Sequence, residues 1–141
     1  MNTKILIVCA ALLAAGISTG ALAGAQEEQT GAIVAHHWKA FIGNELDETM
    51  LDYTEASILI TPDHVYRGLK EIRDNFIKAF AGFPKAESTL QLNKTVVERN
   101  IGYILWQATA PKRTLSFGTD TFVIENGKIL SQTYGGVSTP R

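Results

Sequence analysis

Hydrophobic positions along this chain change period twice. From Thr30 to Ile42 they fall at Ile33, Val34, Trp38, Phe41 and Ile42, the spacing that lays one face of a helix on a core. Gly43-Asn44 supplies a stop. Glu45 to Tyr53 predicts a shorter second helix. Its acidic start suits the positive end of a helix dipole, and Leu46, Met50, Leu51 and Tyr53 are available for burial. Ser57 to Thr61 reads as a short strand halted by Pro62-Asp63, and His64 to Arg67 resumes it, so a tight hairpin is expected. Beyond Gly68, helical spacing returns at Leu69, Ile72, Phe76, Ile77 and Phe80 and ends at Gly82-Phe83-Pro84.

The remainder alternates with the period of a strand. Leu90 to Arg99, Ile101 to Ala110, Thr114 to Ile124 and Ile129 to Tyr134 are separated by Asn100, Pro111-Lys112 and Glu125-Asn126-Gly127, the last an Asn-Gly hairpin signal. Helices first and long antiparallel strands after predict an α+β domain, a curved sheet with its helices on one face. Ile104, Trp106 and Ala108 share one face of their strand, and Ser116, Gly118, Asp120 and Phe122 share one face of the next. Tyr103, Leu105, Leu115, Phe117 and Val123 take the opposite face. Because both faces carry apolar residues, the outer one is expected to be covered in a homodimer.

The N-terminus has a different character. Lys4 precedes an apolar run from Ile5 to Ile17, and Ala21-Leu22-Ala23 gives the small-x-small pattern of signal peptidase sites before polar Gln26-Glu27-Glu28-Gln29. Residues 1–23 are therefore expected to be a signal peptide cleaved after Ala23, or after Ala25, leaving a secreted or periplasmic protein of one domain over residues 30–137. The run is too short for a comfortable membrane span. Its loss removes Cys9, the only cysteine, so the mature chain would have neither a disulfide nor a thiol nucleophile. The formal net charge is −1, and no basic stretch occurs, which argues against nucleic acid or anionic membranes as partners.

One ordered set of residues carries a family resemblance. It comprises His36-His37-Trp38-Lys39-Ala40-Phe41, Met50-Leu51-Asp52-Tyr53-Thr54-Glu55, Ile58-Leu59-Ile60-Thr61-Pro62-Asp63 with Tyr66-Arg67-Gly68, and Gly118-Thr119-Asp120-Thr121-Phe122 before Asn126-Gly127-Lys128-Ile129. In this the chain resembles the SnoaL-like branch of the nuclear transport factor 2-like superfamily, over nearly all of its length from Thr30 to Val137. The resemblance implies a cone-shaped, curved antiparallel sheet wrapped around three N-terminal helices, a cystatin-like α+β roll. It also implies a pocket inside the cone drawing on His37, Trp38, Phe41, Tyr53, Phe76, Trp106, Asp120, Gln132 and Tyr134. Such a lining suits a small, flat, largely apolar ligand. The superfamily holds isomerases, cyclases, dehydratases and noncatalytic binding proteins, so function must be argued from the site.

Asp120 is the sharpest candidate for chemistry, because a carboxylate on an inner sheet face is driven toward its protonated form and can then donate to a ligand carbonyl. It can equally serve only to fix the core through hydrogen bonds. His37 is the second candidate, as an acid/base partner for Asp120, or simply a histidine capping an apolar face. His36 and His37 point about 100° apart on a helix, so only one of them faces inward. His64, in the hairpin, is expected to be exposed. Thr61 stands before Pro62 where the resembled ketosteroid isomerases carry a general-base aspartate, and a hydroxyl cannot replace that base near neutral pH. The three histidines lack metal-ligand spacing, and no phosphate loop or nucleophile elbow occurs, so neither a metal nor a cofactor is expected. Asn93-Lys94-Thr95 is a formal glycosylation triplet. The sequence thus predicts an exported pocket protein for a small hydrophobic molecule, with or without cofactor-free proton transfer. The alternative is a noncatalytic assembly module whose own side chains fill the pocket.

Overall fold

A computed structural model describes residues 19–141. The first helix, α1, runs from Thr19 to Gly43 and starts well before the apolar periodicity does. Its early turns are mostly exposed; the buried stripe begins at Thr30 and continues through Val34, His37 and Ala40. Thr30 fixes the entry of that stripe, its hydroxyl reaching the carbonyls of Gln26 at 2.9 Å and Arg99 at 2.8 Å. The expected signal segment lies outside the described residues up to residue 18, and residues 20 and 22–25 are exposed. Asn44, at φ 52°, turns the chain out of α1 and clips the loop after the third helix, donating to Phe83 O and accepting from Lys85 N.

α2 is shorter than its sequence pattern suggests, Leu46–Met50, and the following turn buries Asp52 and Tyr53. The hairpin pairs β1 (Ile58–Ile60) with β2 (Val65–Arg67) and leads directly into α3 (Gly68–Gly82). Gly68 makes that entry at φ +71°, a left-handed backbone that residues with a Cβ rarely adopt. Four long strands follow: β3 (Thr89–Glu98), β4 (Ile101–Ala110), β5 (Arg113–Glu125) and β6 (Lys128–Pro140). Asn126 and Gly127 both have positive φ at the β5–β6 turn, as the Asn-Gly pair demands.

The sheet is a six-stranded curved layer in the order β2-β1-β6-β5-β4-β3. It is mixed, because β1 runs parallel to β6 while every other pair is antiparallel. The hydrophobic core lies between this sheet and the helices, around Ile72, Phe76, Ile104, Phe122, Ile124 and Ile129. α1 seats closely on β4: a Cβ at Gly102 would overlap the Val34 Cγ2 methyl.

Two expectations about the strands need correction. β6 continues past Tyr134 to Pro140, because its pairing with β5 persists across the Gly135-Gly136 step as far as Arg113 opposite Pro140. A glycine pair reads as a strand end, yet here it only removes side chains from a strand whose partner is long. Second, Leu115 points inward (1 % exposed), and Ser116 lies outside with Phe117. The register slips between Leu115 and Phe117, and that bulge reverses the alternation for everything before it. From Gly118 to Ile124 the alternation holds, and Asp120 is on the inner face as its spacing requires.

Candidate functional site

Three strands and the turn after α2 converge on one polar chain inside the cone. The Trp106 indole N–H donates to Asp120 Oδ2 at 2.8 Å, and Gln132 Nε2 donates to Asp120 Oδ1 at 2.8 Å. The Tyr53 hydroxyl in turn donates to Gln132 Oε1. All four side chains are at most 6 % exposed. Register explains the meeting. Asp120 lies beside Ile104 on one side and Tyr134 on the other, while Trp106 and Gln132 are the next inward residues along β4 and β6. Gly118 is the condition for the first bond, since a Cβ there would lie 2.7 Å from Leu115 Cδ2 and 3.0 Å from the indole.

Burial pushes the Asp120 carboxyl above its ordinary range, and the bonds from Gln132 and Trp106, with His37 nearby, draw it part of the way back. Burial also raises the Tyr53 phenol well above its usual value, helped by Asp120 and Asp52. Tyr134 is raised for the same first reason, with Arg113 opposing.

His37 stands behind this chain. Its ring is ringed edge-on by Phe122, Phe76 and Tyr53 at centroid distances of 5.2, 5.6 and 5.7 Å. Its Nδ1 lies 3.5 Å from Asp52 Oδ2, and neither of those shielded atoms makes a hydrogen bond. The other Asp52 oxygen pairs with His36 Nδ1 at 2.8 Å. The two consecutive histidines thus diverge, one inward and one toward the surface, yet both address the same carboxylate. The sequence pattern gave Asp52 no role because it extends the second helix through Tyr53 and singles out only its apolar residues for burial, whereas the helix ends at Met50 and the turn after it buries this carboxylate.

A cavity of about 640 Å³ opens between β1, β2, α3 and the inner sheet face and reaches Asp120, Gln132 and Tyr134. Phe41, Phe76 and Leu59 give it apolar walls. Of the expected pocket residues, Phe41, Phe76, Asp120, Gln132 and Tyr134 line this space. His37, Trp38, Tyr53 and Trp106 form the layer behind it, with Trp38 packed on Trp106 at 5.7 Å. Thr61 also borders the cavity, but its hydroxyl is occupied in the hairpin turn, against His64 N at 3.2 Å and His64 O at 3.3 Å. His64 is exposed, as expected. A roomier hollow of about 800 Å³ lies at the other end of α1, beside Leu22, Ala23 and Arg99, and encloses none of these buried polar groups.

A volume of this size, with apolar walls and several convergent polar groups, is what small-molecule sites offer. The groups present can bind a carbonyl or hydroxyl and hold a proton beside it. No family model matches the chain, and no curated protein does. Solved structures do. A SnoaL-like polyketide cyclase, provisionally named, from Jannaschia sp. CCS1 superposes with a TM-score of 0.69 at 15% identity, over 79% of this chain and 87% of that one. A provisionally named ketosteroid isomerase from Kribbella flavida gives a TM-score of 0.68 at 14% identity, over 79% and 80%. An NTF2-like protein of unknown function from Mesorhizobium loti gives 0.68 at 17%, over 79% and 93%. At such identities the likeness speaks for the fold alone: the chain has the fold that these NTF2-like and SnoaL-like structures share.

Proposed function

We propose that this chain binds a small, largely apolar molecule in the cavity above Asp120 and contacts it through that carboxyl. The single observation that carries the reading is that the open cavity reaches a buried acid whose two oxygens already accept N–H groups from Trp106 and Gln132. When such an acid is protonated, its O–H has the cavity left to point into. A ligand carbonyl or enol oxygen placed there would receive a short, well-oriented hydrogen bond in a poorly solvated site. Proton transfer of the isomerase, cyclase or dehydratase kind is the extension of this reading, with Asp120 as the acid. His37 stands behind Asp120 and does not border the cavity, so its part is to draw the Asp120 carboxyl back toward its ordinary range and not to touch the ligand.

The proposal includes export by the N-terminal segment and pairing of two copies through the outer sheet face. There Phe117 and Val137, side by side in register, are 47% and 57% exposed, with Ile101 and Val96 exposed on the same face. Light scattering at micromolar concentration should give twice the chain mass; a monomer mass would remove the pairing.

The test of the pocket is saturation binding of N-phenyl-1-naphthylamine, an uncharged apolar fluorophore, to the wild type and to Ala79→Trp. Ala79 lines the cavity from α3, so an indole there takes up part of the space the probe needs. Saturable binding that Ala79→Trp abolishes supports the reading. Binding that ignores the substitution would place the probe elsewhere and sink it.

A further inference from the structure

Two cations stand at the mouth of the Asp120 cavity, and among the described residues neither is in ion-pair contact with a carboxylate. Arg113, the first residue of β5, and Lys78, on α3, both border that cavity. Both also border an adjoining hollow of about 590 Å³, which adds Lys112 and Glu87. Among the described residues none of Lys78, Lys112 and Arg113 has a carboxylate within 4.0 Å. Asp74, one helical turn before Lys78, is bonded by Lys70 at 2.9 Å and feels Lys78 only through its more distant charge. Asp63 is the one other carboxylate besides Asp120 around the Asp120 cavity.

Arg113 is also held in place. Its guanidinium carbon lies 5.5 Å from the centroid of the Phe83 ring, and its terminal nitrogen passes within 3.4 Å of where a Cβ on Gly82 would be. A guanidinium stacked this way keeps its N–H fork free for a planar partner and has lost little freedom by waiting for it. Its charge is felt inside the cavity, at the Tyr134 hydroxyl. The chain as a whole is slightly acidic, so a local group of unpaired cations runs against the global charge.

We infer that the cavity selects ligands that carry a carboxylate, held at the rim by Arg113 and Lys78 while the apolar body lies against Phe41, Phe76 and Leu59. This rests on the pocket reading above. It narrows the ligand from a small apolar molecule to an apolar ring acid, with one polar end at Asp120 and the anionic end at the mouth. Charge-assisted bonds to an Arg fork are about twice as strong as neutral ones, and they add orientation as well as affinity.

The experiment displaces N-phenyl-1-naphthylamine with naphthalene-2-carboxylate or with the neutral 2-naphthalenemethanol, which share a ring system and differ in charge. In the wild type the carboxylate should compete roughly tenfold better than the alcohol, the size expected of a charge-assisted contact. Arg113→Gln and Lys78→Gln should each pull that ratio toward one; the ratio is taken between two competitors of the same fluorophore in the same variant, so any change in fluorophore affinity cancels. Both positions are exposed, and either variant alone is sufficient for the test. A carboxylate-to-alcohol ratio that is the same in the wild type and both variants would overturn the inference and leave the pocket standing. Fluorophore binding that Ala79→Trp does not affect would overturn the pocket, and the inference with it.

Discussion

Replacing Asp120 with asparagine alters the most consequential polar position in the cone, and the hydrogen bonds around it dictate the response. The Trp106 N–H keeps an acceptor in the new amide oxygen. The new amide nitrogen faces Gln132 Nε2, donor against donor, so Gln132 must turn its amide over. The Gln132 nitrogen then meets the Tyr53 hydroxyl, which can accept from it but loses the acceptor for its own hydrogen. One buried donor left unpaired costs about 1–3 kcal/mol. Relief from burying a carboxylate offsets part of that, so Asp120→Asn should lose about 1 kcal/mol near neutral pH. The pH dependence is the sharper test. Burial raises the folded-state pKa of Asp120 above its unfolded value. Its contribution to stability is therefore complete below the unfolded pKa and is lost as pH rises through the folded one. The asparagine variant has no such titration. The margin of the wild type over Asp120→Asn should thus be widest in acid, near the ordinary carboxylate pKa of about 4, and shrink toward pH of about 7. Urea unfolding followed by tryptophan fluorescence at a series of pH values measures it. A margin that widens with pH would mean that Trp106 and Gln132 hold Asp120 ionised in spite of burial, and the reasoning would be refuted.

Other consequences are simpler to read. Tyr53→Phe strands the Gln132 amide oxygen in the core and should cost about 1–3 kcal/mol in urea unfolding; a neutral result would show that the polar chain ends at Gln132. In an ultraviolet titration Tyr53 and Tyr134 should ionise later than a free phenol, and Tyr53→Phe should remove a late component. Because a raised phenol pKa favours the neutral folded form, that contribution to stability is lost only in strong alkali. Gly102→Ala should cost about 1–3 kcal/mol, since Val34 is stiff within α1 and cannot yield to the added methyl. An unchanged urea midpoint would show that α1 is not seated on β4 as described.

The elements with a clean period were legible. α3 and the long strands are set by Leu69, Ile72, Phe76 and the alternation from Ile101 to Ala110, and the Asn126-Gly127 turn by its own chemistry. The inward face of Asp120 was legible for the same reason. Features that depend on pairing between strands escaped. The bulge that turns Leu115 inward leaves no mark in β5 itself, and the parallel β1–β6 contact joins residues far apart in the chain. The site divided along the same line. That Asp120, Trp106 and Gln132 share the cone interior is a consequence of alternation, but that they form one hydrogen-bonded chain depends on register. Asp52 and Arg113 had no signal, since one sits in a turn and the other at a strand end, and both matter only through what the fold brings beside them.

The most direct measurement of the central idea uses the indole N–H of Trp106, which points at Asp120 and therefore reports on anything that touches that carboxyl. The chain has two tryptophans, so an amide correlation spectrum shows two indole signals, and Trp106→Phe assigns them. Titration with naphthalene-2-carboxylate should move the Trp106 indole signal in a saturable way while the amides of Phe117 and Val137 on the outer face stay still. An indole signal that does not move while those outer-face amides do would contradict a ligand site at Asp120.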